Sequence, residues 1–425
     1  MLNNKAIFKR SALLFALTGA LSAQSVQAAN WLMLQGTEKD HQAPRAKVWG
    51  FAQIDYQSTD DTKLPNGSNA AFNQMQPQLS TASGFNVKRA RIGVRGANFP
   101  LDNKVNYFLM SELGNNGITT GGSGSQGQLT DASITLNHMP GARVRVGLFK
   151  TPGSEESFKG IPVFNYVNFT NGTDRLLIER KINTDGVRTD PAFAVRDTGI
   201  QVFDSFKQGD WEHSYAIMYG NGNGLAFTDN DTNKDLYLYA STEKAFDGST
   251  GPRTKSMKFY AWSQSGKRTY GEDEYNRDRA GLGMTYYDGK YRVAAEYFTA
   301  DGMIFGGPAG AVAGNPLTVF TDQKADAYQI DLGYRVKPNI ELNARYDVLN
   351  SATETDAASG TNADKYRVFT TTTLGAQYFF NKKTSVRFNY EIRDTEAPDA
   401  ASASPAHAVL ETVDDRLSAQ LMMVF

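Results

Sequence analysis

Five arginines in two short stretches set the chemical question. In "NVKRARIGVRG" (86–96), Arg89, Arg91 and Arg95 stand at spacings of two and four. In "ARVRVGLFK" (142–150), Arg143 and Arg145 repeat the spacing of two. Residues two apart project from the same side of a β-strand, so each stretch would hold its guanidinium groups in one row. Guanidinium is permanently charged, and its planar fork matches carboxylate and phosphate. Such a row is chemistry for anions, provided that it faces water. The residues between are apolar: Ala90, Ile92 and Val94 in the first stretch, Val144, Val146 and Leu148 in the second. Each strand therefore needs an apolar medium on one side and water on the other.

The rest of the chain supplies the same requirement many times. Alternating stretches lie at 47–57, 86–96, 104–113, 129–137, 142–150, 196–203, 210–220, 234–241, 256–264, 276–287, 290–298, 325–336, 339–349, 369–380, 384–393 and 415–425. They number sixteen, and most are about ten residues long, the length of a strand tilted across a bilayer. Their connections alternate as well. "YDGKY", "VKPNI" and "FNKKT" are tight turns, whereas 58–85, 114–128, 151–195, 221–233, 265–275, 299–324, 350–368 and 394–414 are long and polar. Short turns on one rim and long loops on the other predict an all-β fold, a sixteen-stranded antiparallel transmembrane β-barrel with long extracellular loops and short periplasmic turns. Soluble sandwiches also alternate, but no repeat of 40–50 residues marks a propeller. The chain ends "RLSAQLMMVF", with Leu417, Ala419, Leu421, Met423 and Phe425 in one phase. A last strand of this kind closes on the first, leaving no edge to meet lipid.

Composition agrees. Among 425 residues the net charge is -1, there is no Cys, and the mean hydropathy is -0.45 despite 12% aromatic residues. Near-neutral charge gives no support to nucleic-acid binding. Beyond the N-terminus no apolar run reaches the length of a membrane helix. The first 28 residues join Lys5, Lys9 and Arg10 to the apolar "SALLFALTGAL" and to small residues Val26 and Ala28. That is the pattern of a secretory signal peptide, 1–28. A periplasmic segment 29–45 and the barrel domain 46–425 follow, and the outer membrane of a Gram-negative cell is the predicted location.

If the apolar phase faces lipid, Arg89, Arg91, Arg95, Arg143 and Arg145 face the lumen. The same phase directs Arg277, Arg279, Arg292, Arg335, Arg345, Arg387, Arg393 and Arg416 inward, against Asp55, Glu112, Asp131, Glu296, Asp331, Glu341, Asp347 and Glu391. A positively lined pore concentrates anions. The plainer explanation is that any strand arginine must avoid lipid, where it costs roughly 2–4 kcal/mol at mid-bilayer. A loop as long as 151–195 inside an ordered domain is usually functional; the expectation is that it folds inward and narrows the channel. Lys159, Arg175, Arg180, Lys181 and Arg188 would then face Arg143 and Arg145, with Asp174 and Glu179 as partners. Four histidines, His41, His138, His213 and His407, show no spacing for a nucleophilic or metal site. "DNDTNKD" lacks the Gly and Glu of a calcium loop, with Lys234 and Ala240 in their places. "ASASPAHA" (401–408) reads as a mobile loop tip. No enzyme, cofactor or metal is expected.

Several longer stretches resemble the phosphate-selective porin O and P family: "VKRARIGVRG", "ASITLNHMPGARVRVGLFKTPGSEES", "LIERKINTDGVRTDPAFAVRDTGIQVF" and "YAIMYGNGNGLAFTDNDTNKDLYLYAS". The likeness runs from about residue 46 to the end. It implies a homotrimer of channels, an arginine-lined route and a constricting third loop. The terminal Phe425 resembles the signal read by the outer-membrane assembly machinery. One departure stands out: Phe158-Lys159-Gly160-Ile161-Pro162-Val163 is apolar where a phosphate-selective member is expected to offer adjacent hydroxyls. Three readings remain open: a channel for inorganic phosphate or other small anions, a general non-selective porin for small hydrophilic solutes, and a surface protein or receptor that transports nothing.

Overall fold

The structure is a computed structural model, and it describes residues 30–34, 45–60, 62–63, 82–98, 102–120, 127–179, 195–247, 253–305, 319–355 and 365–425. The signal peptide, most of the segment 29–45, Arg180, Lys181 and Arg188 lie outside the described residues.

In chain order the strands are β1 (Lys47–Thr59), β2 (Ser83–Ala97), β3 (Val105–Glu112), β4 (Gln128–Leu136), β5 (Arg143–Lys150), β6 (Arg196–Gln208) and β7 (Trp211–Gly220). Then come β8 (Asp235–Ala245), β9 (Ser256–Ser265), β10 (Lys267–Tyr270), β11 (Asp273–Asn276), β12 (Asp278–Tyr287), β13 (Tyr291–Asp301), β14 (Ile304–Phe305) and β15 (Val319–Phe320). The last are β16 (Lys324–Lys337), β17 (Ile340–Ser351), β18 (Arg367–Phe379), β19 (Thr384–Glu396) and β20 (Arg416–Val424). All but β10–β11 and β14–β15 form one closed barrel in chain order. The sixteen wall strands coincide with the sixteen alternating stretches. The two extra pairs are hairpins within long loops, β10–β11 between β9 and β12 and β14–β15 between β13 and β16.

The barrel closes where β20 pairs antiparallel with β1, from Phe51 opposite Val424 to Thr59 opposite Arg416. Closure leaves the wall without an edge strand, the condition for strands in lipid. Outward positions are apolar and exposed: Ile92, Ile134, Ile200, Ile217, Leu282, Ile330, Leu374 and Leu421 each keep roughly half of their surface. The periplasmic rim carries aromatic pairs, Tyr291 with Tyr334 and Tyr378 with Phe380, their ring centroids 5.4 and 4.9 Å apart. Short turns are built by side chains. In the β12–β13 turn, Asp288 accepts the N–H groups of Lys290 and Tyr291, each at 2.7 Å, and Gly289 takes φ +99°.

Two details differ from the sequence reading. The stretch 401–408 is more than a loop tip, because Pro405–Leu410 forms helix α3 capped by Ser404 and packed through Ala406 and Leu410 on Ala397. Leu148, assigned to the lipid face, is covered by Leu225 of the β7–β8 loop.

Candidate functional site

A sixteen-stranded barrel is wide enough to hold water, but this one is crossed by its own chain. The loop after β5 forms a one-turn helix α2 (Glu155–Phe158), a 3-10 turn (Ile161–Val163) and a π turn (Thr173–Leu177). Its apolar side chains drive it inward: Phe158, Ile161, Leu176 and Ile178 are buried. Phe158 and Leu176 pack with Tyr239, Trp262, Phe298 and Phe369 on the inner wall. Its polar groups then bind the far side. Tyr166 donates to Asp331 at 2.6 Å, the Val167 N–H to Asn389 at 2.8 Å, Asn168 to Glu391 at 2.9 Å, and Asn171 to Asp347 and Thr371 at 2.8 Å each.

Opposite this apolar seam lies a cluster of charge on β1 to β6. Arg91 pairs with Glu112 at 2.7 Å and Arg196 with Asp131 at 3.1 Å. Lys150 donates to the carbonyls of Ser157 and Lys159 at 2.9 and 2.7 Å, holding the start of the loop. Arg89 donates to Gln53 at 2.9 Å and lies 5.9 Å from the Phe169 ring. Lys88 and Arg89 are neighbours in sequence, yet both face inward and are at least 95% buried. The cause is a β-bulge. Gln53 pairs with Arg89 and Ile54 with Val87, so Lys88 is the extra residue and strict alternation fails. Lys88 reaches the Val167 carbonyl and the Asn168 side chain at 2.8 and 2.7 Å, with Asp55 at 3.5 Å. A second irregularity between β3 and β4 buries Thr130 beside Asp131 in the same way.

The residues singled out in the sequence divide. Arg89, Arg91 and Arg145 lie buried within the barrel. Arg95 and Arg143 are half-buried nearer the periplasmic rim, Arg95 over the Phe108 ring at 5.7 Å and Arg143 3.3 Å from Asp204. The sector is more compensated than the alternation implies, because Asp204 joins Glu112 and Asp131 as a partner. Of the loop cations expected to meet Arg143 and Arg145, the two among the described residues, Lys159 and Arg175, lie elsewhere. Arg175 stacks on Phe369 of the far wall at 4.2 Å, and Lys159 lines a cavity with Arg253 and Arg292. Arg145 instead lies 4.4 Å from the Phe203 ring. Glu179 leaves the loop for Arg268 at 2.9 Å and Arg277 at 2.6 Å. Burial pushes its carboxyl up, but those two guanidinium groups win and hold it below the usual range. Alternation could not reveal Lys88, and Arg196 is not among the residues it singles out; at the end of β6 its side chain turns to Asp131.

The segment 29–45 contributes as well. Its residues Trp31–Leu34 form helix α1 inside the barrel, where Leu32 and Met33 are buried. Asn30 donates to Glu212 at 2.9 Å and to Ser214 at 2.5 Å, Trp31 donates to Glu155 at 3.0 Å, and Arg145 reaches the Leu32 carbonyl at 3.4 Å. Residues 30–34 are thus wedged between the loop and β6–β7. These bonds all use side chains, so the strand ladder does not depend on them. Deleting residues 30–34 is expected to raise single-channel conductance in planar bilayers while the barrel stays heat-modifiable on gels. Unchanged conductance would show that the wedge does not occupy the route.

A profile of the phosphate-selective porin O and P family matches residues 53–425. The chain belongs to that family. This porin is also similar in fold to solved outer-membrane proteins. One is the channel DcaP of Acinetobacter baumannii, at 15% identity and a TM-score of 0.54, covering 92% of this chain and 100% of that one. Another is an anion-selective porin from Comamonas acidovorans, at 14% identity and TM-score 0.54, covering 89% and 99%. A third is Salmonella typhi OmpF in complex with daunomycin, at 14% identity and TM-score 0.55, covering 89% and 97%. No curated protein matches the chain in sequence. The protein is an outer-membrane channel of the porin type. In this porin the apolar run 158–163 serves packing: Phe158 meets Tyr239 with ring centroids 5.7 Å apart, and Gly160 lies against Trp31.

Proposed function

We propose that this porin passes small hydrophilic solutes by diffusion and prefers anions, inorganic phosphate or other small anions among them, as a homotrimer. The observation that carries the reading is the cluster of Lys88, Arg89, Arg91, Lys150 and Arg196 against Asp55, Glu112 and Asp131, which leaves an excess of positive charge. Arg95 and Arg145 extend it toward the periplasmic rim, where Asp204 offsets Arg143, and Lys159 adds a charge on the loop. Mobile ions screen a wall charge over roughly 8 Å, so preference requires a narrow path; the loop packed against this wall supplies one. Family membership and the likeness to an anion-selective porin support the same reading.

The test is the reversal potential in a KCl gradient, with chloride expected to be more permeant than potassium. The preference should weaken at alkaline pH. Burial and the neighbouring Arg292 push the Lys159 ammonium down to about 8, against the pull of Glu155 and Asp331. Raising the pH through that value removes a lumenal positive charge, so chloride preference falls. Lys159→Gln should start lower and change little over the same range. A cation-selective wild type overturns the proposal, and a reversal potential of zero favours a general porin.

A further inference from the structure

Between the loop and the periplasmic half of the wall is a cavity of about 100 Å³. It exists because small residues meet there: Thr285 and Ala294 on β12 and β13, and Val163 on the loop. Trp31 forms one side, its indole N–H tied to Glu155 at 3.0 Å, and Tyr287 lines it from the end of β12.

The charges around the cavity are unequal in their commitments. Lys258 is bonded to Glu155, and Arg292 is bonded to Asp331 and lies 3.2 Å from Glu341. Glu243 is bonded to Ser256. Among the described residues, no carboxylate lies within ion-pair distance of Lys159 or Arg253. Arg253 sits with its guanidinium carbon 4.8 Å from the Phe379 ring. Stacking occupies the face of a guanidinium and leaves its in-plane N–H donors free. Two available cations, an oriented indole and apolar wall atoms thus open onto one space.

We infer that this cavity binds a small organic carboxylate with an aromatic or branched apolar body, its carboxylate on Lys159 and Arg253 and its body against Trp31, Val163 and Ala294. The inference rests on the anion-preferring reading and names the solute class that dwells in the channel. Inorganic phosphate is the poorer ligand, because it would strand the indole and the apolar wall. A carboxylate without a body would forgo the same contacts.

The experiment is block of the chloride current through the full-length porin in planar bilayers, with sodium benzoate, acetate or phosphate added to each side in turn. Benzoate should block at about tenfold lower concentration than acetate or phosphate, and Arg253→Ala should raise its half-blocking concentration by about tenfold, the loss of roughly one charge-assisted hydrogen bond. Trp31→Ala should bring benzoate close to acetate. Lys159→Gln serves as a second variant if Arg253→Ala does not assemble. Equal block by the three anions, or block by benzoate unaltered in the Arg253 and Lys159 variants, overturns the inference. The reversal potential of the same channels keeps the two proposals apart: a cation-selective channel sinks the anion reading, whereas an anion-selective channel indifferent to benzoate sinks this inference alone.

Discussion

Phe425→Asp is expected to lower the amount of folded porin in the outer membrane, read as a weaker heat-modifiable band from isolated membranes. The last residue completes the seam from both sides. The Phe425 N–H donates to the Gly50 carbonyl at 3.0 Å, and the Gly50 N–H returns a bond to the Phe425 carbonyl at 3.3 Å. The ring lies over Gly50 so closely that a Cβ at that position would stand 2.4 Å from the ring's Cζ and 2.4 Å from the Arg91 carbonyl. Phe425 is 53% exposed, so about half of its side chain is covered. Losing that burial costs about 1 kcal/mol, and a charge at the rim adds roughly 0–1 kcal/mol. Together these lower the folded-to-unfolded ratio on the order of tenfold. The resemblance of the terminal Phe to an assembly signal acts in the same direction. Gly50→Val, which keeps Phe425 but displaces its ring, should reproduce part of the loss. Normal levels of folded porin in both variants would refute the account of the seam.

Replacing residues 160–178 with a short Gly-Ser linker is expected to raise single-channel conductance several-fold and to collapse the ion preference toward that of bulk solution. The loop crosses from β5 to the opposite wall and fills the space with Ile161, Leu176 and Ile178. The wall itself closes through strand pairing all the way around, so it does not need the loop to stay shut. The groups that the loop would abandon are polar ends such as Asp331, Asp347, Asn389 and Glu391, which water can satisfy in a wider lumen. Lys88 would lose the Val167 carbonyl and Asn168, and its charge would then face solvent. A folded variant with unchanged conductance would show that the narrowest point lies elsewhere.

The barrel was legible because its physics is local. Lipid on one face and water on the other impose a period of two, so Ile92, Val146, Leu374 and Leu421 announce the outer side without any knowledge of their neighbours. The number of strands and the closing role of β20 follow from the same period, and so does the inward turn of Arg89, Arg91 and Arg145. What decides the site is not periodic. The bulge opposite Gln53 and Ile54 adds one residue to β2 and turns Lys88 inward, and no pattern within "NVKRARIGVRG" marks that register. The partners Arg91–Glu112, Arg143–Asp204 and Arg268–Glu179 join different strands and loops, so they depend on how those elements meet. The path of the loop is set by which inner wall offers Tyr239, Trp262 and Phe369 to its apolar residues. Trp31 gives no sign in its own short segment that it will line a cavity with Lys159 and Arg253. Those three residues are brought together by a helix, a loop and a turn that share no period, and only the packed tertiary structure places them around one space.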